Sequence, residues 1–206
     1  MVPVCRCTLR RSRVEVWVGT VVAAEYVTID GVMQDPGGVG EFKAGGWSNQ
    51  FWDDDLASLQ SELLFASDAL LLGRVTYEGF AVAWPDMEHE EGPFAEKMNS
   101  MPKYVASRTK KDLEWNATRI EGDVVEEVGK LARDSDQNLL IYGSASLVRL
   151  LLQHDLIDRY RLMIHPVVLG TGEPLFAGGQ APRQLRLAGT TATSKGVVVL
   201  DYDRAG

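Results

Sequence analysis

The sequence predicts a three-layer α/β fold: a mostly parallel central sheet with antiparallel strands added at its C-terminal end. Three observations carry this. Short apolar runs bounded by glycine, such as Ala69–Leu72 and Leu139–Gly143, have the form of strands buried on both faces. Segments with apolar residues at helical spacing alternate with those runs, the pattern of parallel strands joined by crossover helices. Few residues separate the last two strand-like segments, which suits an antiparallel pair.

Taken in order, Val21–Ile29 reads as the first strand, apolar except for Glu25 and Thr28. Asp30-Gly31 ends it, and Pro36, Gly37, Gly38 and Gly40 predict a long loop of the kind that closes over sites. Asp53–Ser67 has helical spacing, with Leu56, Leu59, Leu63 and Leu64 on one face. Asp53, Asp54 and Asp55 stand in its first turn, where carboxylates complement the helix dipole. After the Ala69–Leu72 strand, Gly73 breaks the run, and Thr76 can cap a helix begun by Tyr77, Glu78 and Phe80. Trp84–Pro93 reads as an acidic loop with a solvated His89.

Lys103–Thr109 predicts a short strand ending in Ser107-Arg108-Thr109, and Leu113–Ile120 another. Val124–Arg133 reads as a helix with Val125, Val128, Leu131 and Ala132 inward. The Leu139–Gly143 strand meets Ser144-Ala145-Ser146 and then a helix over Leu147–His154. Asp158–Leu169 reads as one long strand ending at Gly170-Thr171-Gly172; its His165, before Pro166, suits hydrogen-bonded structure better than catalysis. Gln184–Ala188 and Val197–Tyr202 close the set. Residues 20–206 are expected to form a single domain, behind an N-terminal extension (1–19) that reads as a disordered tail or as the product of a start codon chosen too far upstream, though Val14–Val18 alternates like a strand.

A formal net charge of −8 argues against a nucleic-acid or anionic-membrane partner, either of which needs a basic footprint. No apolar run approaches the ~20 residues of a membrane helix. A soluble, cytoplasmic protein is the expectation. Cys5 and Cys7 are the only cysteines, and the three histidines are scattered. No metal site is expected.

Two junctions read either as ordinary strand-to-helix turns or as sites for chemistry. Gly73-Arg74 and Gly143-Ser144-Ala145 each follow a buried-type strand and precede a helix, where free backbone N–H groups suit an anion such as a nucleotide phosphate. Ser107 with Arg108 is either a surface turn or a further pair able to hold a phosphate. Trp47, Phe51 and Trp52 serve as core anchors or line a pocket for a flat ring. Neither junction matches the dinucleotide fingerprint of a Rossmann domain, and there is no Walker loop.

Leu72-Gly73-Arg74-Val75-Thr76-Tyr77-Glu78 resembles the Gly-Arg-x-Thr-aromatic-Glu segment of dihydrofolate reductases. Thr28-Ile29-Asp30-Gly31 is similar to the Ser-Leu-Asp-Gly of the reductase (C-terminal) domain of bifunctional riboflavin-biosynthesis deaminase-reductases and their stand-alone relatives. Ile141–Ala145 resembles that group's Gly-Gly segment, and Val167–Phe176 its Leu-Gly-x-Gly-x-x-Leu-Phe segment. The resemblance spans Val21 to about Tyr202. One departure is Tyr142-Gly143-Ser144, where the family has consecutive glycines. No deaminase zinc motif is present.

The resemblance implies a dihydrofolate-reductase-like fold and NADPH lying across the ends of the central strands. Gly73, Arg74 and Thr76 would meet the cofactor at one helix N-terminus, and Gly143, Ser144 and Ala145 its pyrophosphate at the other. Ser107 and Arg108 would stand near the adenosine 2′-phosphate. The substrate class would be a small pyrimidine- or pteridine-like heterocycle, as for 5-amino-6-(5-phosphoribosylamino)uracil reductase or dihydrofolate reductase. Asp55, in an Asp-Leu-Ala like that of bacterial dihydrofolate reductases, is one candidate proton source; Asp30 and Glu25 are rivals. A homodimer paired through the late strands is a further expectation. The alternative is a non-catalytic ligand-binding protein that keeps the reductase fold.

Overall fold

The computed structural model describes residues 19–87, 92–134, 136–178 and 181–205. The extension up to residue 18, with its two cysteines and the Val14–Val18 segment, lies outside them, as does His89. Eight strands form one sheet: β1 (Val21–Thr28), β2 (Ala69–Gly73), β3 (Lys103–Ala106), β4 (Ala117–Arg119), β5 (Leu139–Tyr142), β6 (Arg159–His165), β7 (Leu185–Ala192) and β8 (Val198–Arg204). Their spatial order is β4-β3-β2-β5-β1-β6-β8-β7. The run from β4 to β6 is parallel, and β8 is antiparallel to both β6 and β7. The helices are α1 (Asp54–Phe65), α2 (Arg74–Ala83), α3 (Pro93–Ser100), α4 (Val124–Asp134) and α5 (Ala145–Gln153).

Alternation along the central strands feeds two cores. Val21, Ala23 and Val27 of β1 face α4 and α5, packing with Val128, Ala132, Leu147, Val148 and Leu151. Val22 and Ala24 face the other way, toward Leu56, Leu63 and Leu64 of α1 and Tyr77 of α2. In β2, Leu70, Leu71 and Leu72 are all fully buried. At about 1.5–3 kcal/mol for each such side chain, they anchor the strand that delivers Gly73 to the sheet edge.

Several boundaries differ from the sequence expectation. Helix α2 starts directly on Gly73, so Thr76 lies inside its first turn and caps nothing. Helix α5 begins two residues early, at Ala145. Strand β6 stops at His165, because Pro166 has no N–H to extend the ladder. Only Ala117–Arg119 of the expected Leu113–Ile120 strand is extended and paired. The helix α3 was not foreseen, because its short amphipathic run follows an acidic Pro-bearing stretch that reads as loop.

Candidate functional site

The site lies at the carboxyl ends of β2 and β5. These strands are parallel neighbours. The chain leaves β2 into α2 on one face of the sheet and leaves β5 into α5 on the other. Strand order switches between β2 and β5, the place where open α/β sheets bind ligands.

Both helices enter the site without a side-chain cap. The N-caps are Gly73 for α2 and Ser144 for α5, and neither makes a capping bond. By contrast, Asp53 caps α1 by accepting from Leu56 N, and Asp123 accepts from Val125 N and Glu126 N at the start of α4. The first amides of α2 and α5 therefore lack a side-chain partner, although Leu147 N already bonds Ser144 O at 2.9 Å.

The two corners abut. A Cβ on Gly73 would stand 1.7 Å from Ser144 Oγ, and one on Gly143 would stand 3.0 Å from Thr76 Cγ2 and Oγ1. A side chain at Gly73 would force Ser144 to shift, and one at Gly143 would press on Thr76 from a left-handed backbone. Gly143 and Ser144 are successive left-handed residues, with φ of 69° and 73°. For the serine that conformation costs about 1–2 kcal/mol, a strain that recurs at ligand sites.

Positive charge lines the same edge. Arg74, the first residue of α2, is exposed and pairs with Glu78 at 2.7 Å. Ser107 and Arg108 follow β3, whose Ala106 is in register with Gly73. Ser107 Oγ accepts from Lys110 N at 2.9 Å, closing a turn, and Arg108 is exposed.

The three candidate acids occupy different settings. Glu25 is 1% exposed, and its Oε2 accepts the Gly143 amide at 3.0 Å. Its Oε1 is buried with no partner among the described residues. Burial pushes this carboxyl well above the usual range, against the lowering effect of the Gly143 bond. Asp30 is held below the usual range, first by the Thr28 hydroxyl and then by the Gly170 and Leu169 amides. It ties β1 to the Val167–Phe176 segment. Asp55 is exposed, and its Oδ2 accepts from both the amide and the hydroxyl of Ser194. Asp53 Oδ2 likewise takes Lys195 N at 2.7 Å, so both acids pin the β7–β8 turn to α1.

The aromatic residues divide. Trp47 is 5% exposed and donates its indole N–H to Gln34 O at 2.8 Å. Trp47 and Phe51 pack on the buried ring of His165, with centroids at 5.1 and 5.9 Å, and Tyr26 joins them at 4.7 Å. His165 Nδ1 lies 2.9 Å from Met163 O. Trp52, in contrast, is 43% exposed. Sequence reasoning missed this cluster, since its members come from separate segments with no common spacing. It also missed the bond from Glu25 to Gly143, for which the only signal was a carboxylate inside an apolar strand.

Comparison with known proteins decides the family. Residues 19–199 match the RibD C-terminal domain. The chain belongs to that family. Among its relatives is the uncharacterized protein YyaP of Bacillus subtilis (strain 168), 35% identical over 147 residues, which cover 69% of this chain and 77% of YyaP. The fold is that of a putative riboflavin biosynthesis protein from Shewanella sp. PV-4, with TM-score 0.66, 20% identity and coverage of 91% of this chain and 99% of that one. It is also that of a dihydrofolate reductase from Enterococcus faecalis complexed with NADP(H), with TM-score 0.60, 16% identity and coverage of 92% and 99%. This RibD C-terminal domain protein thus has a reductase-type fold. Among its described residues, no helix is long and apolar enough to cross a membrane, and no three His, Cys, Asp or Glu side chains are grouped to hold a metal.

This edge of the RibD C-terminal domain gathers groups that can donate to an anion. Two uncapped helix N-termini, Arg74 and the neighbouring Ser107-Arg108 turn converge on one edge. The Gly143 amide is not among the donors, because Glu25 takes it from behind.

Proposed function

We propose that this protein is an NADPH-dependent reductase acting on a small pyrimidine- or pteridine-like heterocycle. The observation that carries the reading is the meeting of two uncapped helix N-termini, α2 at Gly73 and α5 at Ser144, where the strand order switches. Their amides would take the diphosphate, Arg74 would neutralise it, and Ser107 with Arg108 would take the 2′-phosphate. A local cationic cluster is needed here, because the whole chain carries a formal charge of −8 and repels anions at long range.

NADPH supplies the hydride. The chain's part is to orient the acceptor and provide for a proton. Trp52 offers the exposed ring against which a flat acceptor could stack, whereas Trp47 and Phe51 are spent on His165. Of the three acids, Asp30 and Asp55 are engaged by backbone amides and hydroxyls. Glu25 alone keeps its proton above the usual carboxylate range, but it is sealed from solvent. That sealing favours a second reading, a ligand-binding protein that retains the fold without turnover.

Titration of the protein into NADPH, followed by cofactor fluorescence, tests the first reading. Saturable binding weakened in Arg74→Ala supports it; no binding, or identical curves for parent and variant, refutes it. NADPH oxidation with pyrimidine and dihydropteridine acceptors then separates turnover from binding alone.

A further inference from the structure

Glu25 meets the site from behind, through a backbone amide. Its strand neighbours on the same face, Ala23 and Val27, are core residues, so a carboxyl between them is costly unless something there needs it. The Gly143 amide needs it. Two successive left-handed residues turn that N–H inward, where Glu25 Oε2 accepts it at 3.0 Å. The opposite side of the same turn packs on the β2–α2 corner, with Ser144 Oγ against Gly73 and Gly143 against Thr76. A turn that slackened inward would carry Ser144 with it and re-aim the first amides of α5.

We propose that Glu25 is a positioning residue of the dinucleotide site: through the Gly143 amide it holds the Gly143–Ser144 turn that presents the N-terminus of α5 to the phosphates. This role rests on the reading of this sheet edge as a dinucleotide site. The neutral acid is the form that does it. Oε1 has no partner, and no described lysine or arginine pairs with Glu25. Tyr142, beside it on the neighbouring β5, feels its charge, and the other charged groups are held elsewhere. Tyr142 of β5, with Arg161 and His165 of β6, belongs to the opposite face of the sheet, and Arg161 is held by Asp201. Arg149 of α5 is bound to Glu173 and to the carbonyls of Leu175 and Pro174. An ionised Glu25 would be a buried charge with a single hydrogen bond, and the turn would loosen to let water reach it.

The test compares the parent with Glu25→Gln and Glu25→Leu. NADPH affinity is read by fluorescence over a pH series that runs upward from the ordinary carboxyl value of 4.5. The Gly143 amide resonance is followed over the same range without cofactor. The parent should lose about tenfold in affinity toward high pH, the equivalent of one neutral hydrogen bond. Glu25→Gln keeps an uncharged acceptor, so its affinity should match the low-pH parent and stay flat. Glu25→Leu should bind about tenfold more weakly at every pH while melting cooperatively. The Gly143 resonance should titrate in the parent and not in Glu25→Gln. Unchanged affinity in Glu25→Leu, or the same pH profile in Glu25→Gln as in the parent, overturns this role alone. Absence of NADPH binding by the parent overturns the dinucleotide reading, and this role falls with it.

Discussion

The Ser144 hydroxyl rests against the α-carbon of Gly73, so that a Cβ on Gly73 would lie 1.7 Å from Oγ and 2.9 Å from the Ser144 Cβ. The hydroxyl can rotate away, but the Cβ cannot without moving the turn. Gly73 itself has φ −80°, which alanine adopts freely. Gly73→Ala therefore acts only through this contact. It should cost about 1–3 kcal/mol by overpacking and weaken NADPH binding by separating the corners. Adding Ser144→Gly removes the obstructing atoms and relieves a left-handed serine. The double variant should recover most of both losses in thermal melts and NADPH titrations. A strictly additive pair would show that the corners do not interact.

Asp55 is tied to Ser194, and Asp53 to Lys195, so the N-terminus of α1 and the β7–β8 turn behave as one unit. Asp55→Asn should lower the melting temperature, because an amide oxygen accepts more weakly than a carboxylate. NADPH affinity and turnover per folded molecule should change little. Asp53→Ala should cost about 1 kcal/mol from the lost cap alone. Turnover abolished in Asp55→Asn, at unchanged stability, would return that residue to the role of proton source.

The sheet and its order of elements were legible because the relevant signals are local. Leu70–Leu72 and Leu139–Ile141 are unbroken apolar runs, and a strand buried on both faces has no other way to look. The two glycine junctions were legible for the same reason. What was hidden depends on which strands become neighbours. Nothing in the spacing of Gly73 and Ser144 says that their strands pair, and the clash that a side chain at Gly73 would meet exists only after they do. The acids illustrate this most sharply. Asp55, Asp30 and Glu25 are alike as letters, and only the partners Ser194, Gly170 and Gly143, each more than a hundred residues away, give them different chemistry.

Arg108 offers a test of cofactor choice. It stands exposed one residue beyond Ser107, at the end of the strand in register with Gly73. A charge-assisted pair with a phosphate contributes about 1.5–3 kcal/mol, so Arg108→Ala should weaken NADPH binding by about ten- to a hundredfold. NADH binding should be unaffected, and raised salt should shrink the difference between the two cofactors. Parallel titrations of both cofactors suffice. Equal losses for NADPH and NADH would assign Arg108 to the diphosphate instead.

Stability against pH should carry two opposed signatures from buried groups. Glu25 has its carboxyl raised by burial, so the native state keeps a proton that the unfolded chain releases. Stability must therefore fall as pH rises from the ordinary value of 4.5 through the folded value, and the cost persists above it. His165 is lowered, first by burial and against the pull of the Met163 and Val27 carbonyls. The unfolded chain then takes up a proton that the native state refuses, so stability must fall as pH drops below the ordinary value of 6.5. Glu25→Gln removes only the first signature. In denaturant titrations it should exceed the parent by about 1–3 kcal/mol at high pH, where the parent buries an uncompensated acid. The two should converge at acid pH. The slope below 6.5 should then stand uncovered in the variant, as the trace of a buried imidazole ringed by Tyr26, Trp47 and Phe51. A variant that is less stable than the parent at high pH would mean that Glu25 is ionised in the fold and held by something other than Gly143.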